Sequence, residues 1–208
     1  MSVKSKYIWL LDSGHGGMID GVYQTSGKRS PVWDDGTQYF EGVGNRVLVK
    51  KLEAKFEKTK IPYYNVVRSE KDISLSTRVN RANQYQQQHG NCIYLSIHSN
   101  GFSKESANGY SVYTSEGETK SDRIAEVFIE NMIKEFPNHK LRKDTTDGDL
   151  DKESNFYVLR KTIGSAVLIE NFFMTNYREC KLLMNEDFQN RIVDCHFESI
   201  KYISYNNI

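Results

Sequence analysis

Two histidines and a glutamate stand where a fold could gather them. His15 lies in "LLDSGHGG" and His98 in "IYLSIHSN", each just beyond a hydrophobic run of strand length, and Glu170 follows the apolar run 166–169 in "AVLIENFFMTN". Open α/β sheets collect their functional groups at the carboxyl ends of strands. A carboxylate that close to an apolar strand needs a cation or a hydrogen-bonded role to offset its burial. Two imidazoles with one carboxylate form a common ligand set for a hydrolytic zinc, with a fourth position open for water. If both histidines bind metal, the third ligand is an Asp or Glu from elsewhere. Glu41, in "QYFEGVGNRVLVKKL" at the entry to a helix, is the best placed; Asp20, Asp34 and Asp35 are alternatives within a loop. A first-turn carboxylate favoured by the helix dipole is the other reading of Glu41.

Gly14, Gly16 and Gly17 around His15 permit tight backbone and close approach of a ligand. Neither GxxxxGK[ST] nor GxGxxG occurs in the right setting, so a nucleotide is not indicated.

These residues need a scaffold, and the apolar pattern supplies one. Strand-length runs at 7–11, 63–67, 92–97, 110–113 and 166–169 alternate with helical periods, the pattern of βα units on a mostly parallel sheet. Helices are expected over 45–58, with Val47, Leu48, Leu52 and Phe56 on one stripe, and over 78–88. A third is expected over 121–136, with Ser121 as N-cap, Asp122 at the positive dipole end, and Pro137 as a stop. Asn176 with Glu179 resembles a capping box, and Phe188, Ile192, Cys195 and Ser199 mark a last helix covering one sheet face. Segments 20–39 and 138–155 resist assignment, and loops that long are expected to belong to a binding surface.

The chain has 208 residues, 38% of them apolar and 26% charged, which suits one domain (1–208) with a sizeable core. Lys plus Arg number 28 against 27 Asp plus Glu, so no basic field steers it onto nucleic acid or an anionic membrane. Cys92, Cys180 and Cys195 are odd in number and lack CxxC spacing, which argues against a disulfide framework or a cysteine zinc site. Reduced thiols are expected, with Cys92 a small core residue. The apolar run 7–11 is too short for a signal peptide core and no small-residue cleavage site follows; no run is long enough to span a bilayer. Synthesis in the cytoplasm is expected, as a soluble monomer.

Taken in order, "LDSGHGG", the helix-opening Glu41 with Asn45 four residues on, "RSEKDISLSTRVNRAN", "LSIHSN", "YVLRKT" and "AVLIENFFMTN" resemble the zinc-dependent N-acetylmuramoyl-L-alanine amidases often called type 3. The resemblance runs from about Tyr7 to the last helix. It implies one three-layer α/β/α domain with zinc on His15, Glu41 and His98 and with Glu170 as catalytic acid/base. It further implies cleavage of the amide joining N-acetylmuramic acid to L-alanine in peptidoglycan, hence action at the cell wall. The residue types suit that chemistry: zinc lowers the pKa of its bound water to roughly 7 and polarises the amide carbonyl, and a carboxylate can pass the proton to the leaving amine.

Two positions depart from the family pattern. Ser13 stands where proline usually precedes Gly-His, which is expected to change only local stiffness, and Phe172 where a glycine usually stands two residues past the catalytic Glu, where a reshaped pocket or a desolvated Glu170 is expected. Trp33, Tyr39 and Phe40 of the long loop are candidates for stacking on sugar faces, or for pinning the loop to the core. Segment 138–155 is expected to line the cleft. His89, His139 and His196 read as structural or solvated, and Arg68, Arg78 and Arg81 as ion-pair partners rather than substrate clamps.

Two rivals remain. A zinc carboxypeptidase on wall peptides usually pairs its first His and Glu in HxxE, whereas His15 is followed by Gly16, Gly17 and Met18. A non-catalytic wall-binding module of the same fold would be expected to have lost a ligand or the catalytic carboxylate, and all four positions are present. A lysin released by a membrane-permeabilising partner and a mature fragment without its export signal both fit the cellular context.

Overall fold

The computed structural model describes residues 4–146 and 148–208. In chain order the elements are β1 (Ile8–Ser13), β2 (Met18–Ile19), β3 (Val22–Tyr23), α1 (Glu41–Thr59), β4 (Tyr63–Asn65), α2 (Leu75–His89) and β5 (Cys92–Asn100). They continue with β6 (Ser111–Thr114), α3 (Lys120–Glu135), β7 (Lys152–Glu153), α4 (Tyr157–Lys161), β8 (Ser165–Phe173), α5 (Tyr177–Met184) and α6 (Glu186–Tyr205).

Six strands form one sheet in the order β4-β1-β5-β8-β6-β7. The neighbours β4, β1, β5 and β8 run parallel and β6 runs antiparallel to β8, so the sheet is mostly parallel as expected. Because side chains alternate across a strand, the two faces can be read from the central strands. Trp9 and Leu11, Ile93, Leu95 and Ile97, and Val167 and Ile169 face the core built with α1, α3, α5 and α6. Leu10, Tyr94, Ala166 and Leu168 face the smaller core closed by Val79 and Ala82 of α2 and Val158 and Leu159 of α4. The result is three layers, helices over both faces of the sheet.

Strand β5 reaches Asn100 and β8 reaches Phe173. His98 and Glu170 therefore lie within strands rather than beyond them, because the central ladder continues through the polar residues. Several helix starts also differ from the pattern reading. Helix α1 begins at Glu41 itself, α2 begins after the N-cap Ser74, whose side chain accepts from Thr77 N, and α3 is capped by Thr119 in a box with Asp122. Asn176 caps α5 by accepting from Glu179 N at 3.0 Å. The Glu179 side chain does not return to Asn176: it accepts from Gly109 N and Phe173 N, tying the end of β8 to a neighbouring turn.

Candidate active site

The two histidines and Glu41 converge. Glu41 Oε1 lies 3.2 Å from His15 Nε2 and 3.0 Å from His98 Nδ1, and the three ligand atoms all fall within 4.8 Å of one another. Around a tetrahedral zinc with bonds of about 2.0–2.2 Å, ligand atoms sit about 3.3–3.5 Å apart, so this donor set and spacing fit the ion. It is the one such group of His, Cys, Asp or Glu among the described residues. Asp20 is exposed and lies in the β2–β3 turn, Asp34 is exposed in its loop, and Asp35 pairs with Lys181.

Each member is set by a different element. Glu41 opens α1, at the positive end of the helix dipole. Its N–H donates to Lys28 O at 3.0 Å, and its carboxylate accepts from Ser99 N at 3.3 Å. His98 lies on β5, and its ring packs on Gly14: a Cβ there would fall 2.2 Å from the ring. The close approach that Gly14 permits is thus to a neighbouring side chain. His15 sits two residues past β1 with φ of 66°, a left-handed conformation that is uncommon for a residue other than glycine.

Electrostatics follow from burial and pairing. Burial alone would raise Glu41, but hydrogen bonds to His15 and His98 outweigh it and hold the carboxyl well below its ordinary value. Burial alone would lower His98, and the bond to Glu41 outweighs that in the other direction. Glu170 lacks such relief. Burial pushes it up to about 7 against the opposing pull of His98, and its buried Oε2 has no hydrogen-bond partner among the described residues. A carboxyl that titrates near neutrality is suited to taking and returning a proton.

The four residues line one cleft of about 680 Å³, together with Lys28, Arg29, Phe102, Phe156 and Met174 among others. For Trp33 and Tyr39 of the long loop the pinning alternative holds rather than the stacking one, and the described residues of segment 138–155 lie away from the cleft. Trp33 donates its indole N–H to Cys180 Sγ and packs against Tyr177 of α5; Tyr39 is buried with its hydroxyl 3.1 Å from Ser99 Oγ; Phe40 packs on Tyr23. None of the three lines the cleft; Trp33 and Tyr39 pin the loop to the core, while Phe40 packs within the loop region. No described residue of 138–155 lines it either; β7 in that segment pairs with β6 at the sheet edge, away from the cleft.

Phe172 also lies elsewhere than expected. Between the pairs His98–Glu170 and Asn100–Phe173 the β5–β8 register shifts, β8 carrying one extra residue, and Phe172 takes φ of 58° in this bulge. Its ring turns into the helical core against Phe136, Phe188 and His139 and does not line the cleft. His89 packs on Tyr85, and His196 is buried with Nε2 2.7 Å from Asn171 Oδ1, both away from the cluster.

A family model described as N-acetylmuramoyl-L-alanine amidase (Amidase_3) matches residues 10–202. The chain belongs to this amidase family. Its reaction is hydrolysis of the amide between N-acetylmuramic acid and L-alanine in peptidoglycan. No curated protein sequence matches the amidase. Solved structures share its fold at low identity. An N-acetylmuramoyl-L-alanine amidase from Clostridium difficile 630 has TM-score 0.76 at 23% identity, covering 98% of this chain and 100% of its own. The catalytic domain of CwlV from Bacillus (Paenibacillus) polymyxa var. colistinus has TM-score 0.70 at 23% identity, covering 96% and 99%. The catalytic domain of the CD27L endolysin, which targets Clostridia difficile, has TM-score 0.67 at 17% identity, covering 97% and 99%.

Sequence reading took Arg78 as an ion-pair partner, as it is, but overlooked the two buried residues it joins beneath the site, Asp12 and Ser96. Asp12 accepts from Arg78 Nη1 and Ser96 Oγ, each at 2.5 Å. Burial would raise Asp12, yet Arg78 and Ser96 together hold it below its ordinary value. The usable signal was parity: Asp12 and Ser96 occupy the same face as Leu10 and Tyr94, a polar pair at core positions of adjacent strands.

Proposed function

We propose that the amidase works with a zinc ion held by His15, Glu41 and His98, and that Glu170 is its catalytic acid/base. The observation that carries this reading is the convergence of two imidazoles and a buried carboxylate from the loop after β1, the start of α1 and strand β5, beside a second carboxyl whose buried Oε2 has no hydrogen-bond partner among the described residues. Zinc in such a site supplies Lewis acidity, acidifying water and polarising a carbonyl. The protein supplies the rest. Glu41, charged through its two histidine contacts, brings a negative charge to the cation. Glu170, in parallel register with His98, takes a proton from the attacking water and delivers it to the departing L-alanine nitrogen. All four groups come from one chain, so a monomer suffices, and the substrate places the reaction at the cell wall.

Digestion of purified peptidoglycan, with mass analysis of the new ends, tests this. The expected products are free stem peptides beginning at L-alanine, lost on chelation and restored by zinc. Stem peptides shortened at their carboxyl ends, or release that is indifferent to chelation, would overturn it. Among the described residues no helix is long and apolar enough to cross a membrane.

A further inference from the structure

We propose that Arg78 is a positioning residue that sets His15, and through Gly14 also His98, for metal binding. This rests on the reading of both histidines as ligands. The loop 14–17 follows β1 and has no strand ladder of its own, so its backbone polar groups and those at the end of β1 need partners elsewhere. Gly14 N donates to Ile97 O at 3.0 Å, Gly16 N to Thr25 Oγ1 at 2.7 Å and Gly17 N to Glu70 O at 2.7 Å, while Gly14 O accepts from Asn45 Nδ2 at 3.2 Å. Two further carbonyls are taken by one guanidinium: Arg78 Nη1 reaches Ser13 O at 2.7 Å and Nη2 reaches His15 O at 3.0 Å. These carbonyls belong to the peptide unit just before Gly14 and the one just after His15.

The guanidinium is itself immobilised. Arg78 is 2% exposed, its Nε donates to Ile73 O at 2.9 Å, and Nη1 pairs with Asp12, which β1 and Ser96 of β5 hold in turn. Asp72 approaches Nη2 at 3.6 Å and accepts from Thr25 Oγ1, the hydroxyl that receives Gly16 N–H. Arg78 therefore joins α2, the end of β1 and the His15 loop through one planar group with fixed donor directions, a geometry that lysine does not reproduce. His15 needs such a restraint because φ of 66° is unfavourable for it. Gly14 contacts the His98 ring closely, so rotation of the 13–15 backbone displaces the second histidine too. Groups that orient metal ligands typically change affinity by roughly 10–100-fold when removed.

The test compares wild type, Arg78→Lys and Arg81→Lys. Arg81 donates to Val66 O at 2.7 Å on the same helix, outside the cleft lining, and serves as the stability control. Zinc affinity is measured by chelator competition, the absorption spectrum with cobalt in place of zinc reports ligand geometry, and thermal melting is followed without metal. Arg78→Lys is expected to bind zinc roughly 10–100-fold more weakly with an altered cobalt spectrum, while Arg81→Lys keeps both even if its melting point falls. Should Arg78→Lys not fold, the neutral pair Asp12→Asn/Arg78→Gln replaces it in the same comparison. A folded Arg78 variant with wild-type zinc affinity and cobalt spectrum overturns the inference, as does failure of both variants to fold, which makes Arg78 a folding residue. Absence of zinc binding by the wild type instead overturns the metal-site reading itself.

Discussion

His98 and Glu170 are direct partners in the parallel β5–β8 ladder. By alternation they share the sheet face that carries Tyr94 and Leu168, the face closed by α2 and α4. Adjacent strands thus set a metal-ligand candidate and a proton-transfer candidate side by side, with a rigidity that loops would not provide. One strand slipping by a single residue would send its group to the opposite core.

Glu170→Gln keeps size and removes the exchangeable charge. Hydrolysis of peptidoglycan is expected to fall by roughly 10²–10⁴-fold, with zinc content and melting point close to wild type. Wild-type turnover by this variant would remove Glu170 from the reaction.

His98→Ala takes away one of three nitrogen and oxygen donors and leaves Glu41 with one imidazole partner. Zinc retained after dialysis is expected to drop from about one equivalent to a small fraction of it. Full stoichiometry in the variant, measured by elemental analysis, would show that His98 is not a ligand.

Phe172→Gly sets two effects against each other. Losing a fully buried aromatic ring costs about 3–5 kcal/mol, while relieving the left-handed backbone at Phe172 returns about 1–2 kcal/mol. Urea unfolding is expected to show a net loss of about 2 kcal/mol. Turnover per folded molecule is expected to stay unchanged, since the ring faces the helical core; a large change in turnover would place Phe172 in the substrate path after all.

His196 predicts acid sensitivity. Its Nε2 meets Asn171 Oδ1 while Nδ1 has no partner among the described residues, and burial lowers the ring to about 3. The unfolded chain takes up this proton at about 6.5. The folded pKa is the lower one, so the stabilising effect is complete above about 6.5 and is lost as pH falls toward 3, at about 1.4 kcal/mol per unit. Between pH 7 and pH 5 the wild type is expected to lose about 2 kcal/mol more than His196→Gln in urea titrations. Equal losses would mean that the ring protonates in the folded state without penalty.

Much of this arrangement was legible in the sequence because it is local. The parallel order follows from apolar runs alternating with helical periods, and His15, Glu41, His98 and Glu170 each carry a visible signature, a strand or a helix start beside them. Placing those signatures in one family drew on the order of the motifs, which periodicity alone does not convey. What stayed hidden depends on contacts between distant positions. Arg78 reads as one of two arginines on a polar helix, an ion-pair partner without a named acid, until Asp12, 66 positions away, is seen to accept its hydrogen bond. Trp33 and Tyr39 carry the composition of a sugar-binding rim, yet Cys180 and Ser99 draw them inward. Phe172 breaks the usual preference for glycine at a left-handed position, and its ring is accommodated only because Phe136 and Phe188 converge there.

The central claim is that His15, Glu41 and His98 hold one zinc ion, and anomalous scattering from crystals of the zinc-loaded protein, recorded on both sides of the zinc edge, tests it most directly. The account predicts a single strong peak about 2.0–2.2 Å from a nitrogen of each histidine and an oxygen of Glu41. A peak elsewhere, or one that leaves any of these three side chains out of coordination, would contradict it.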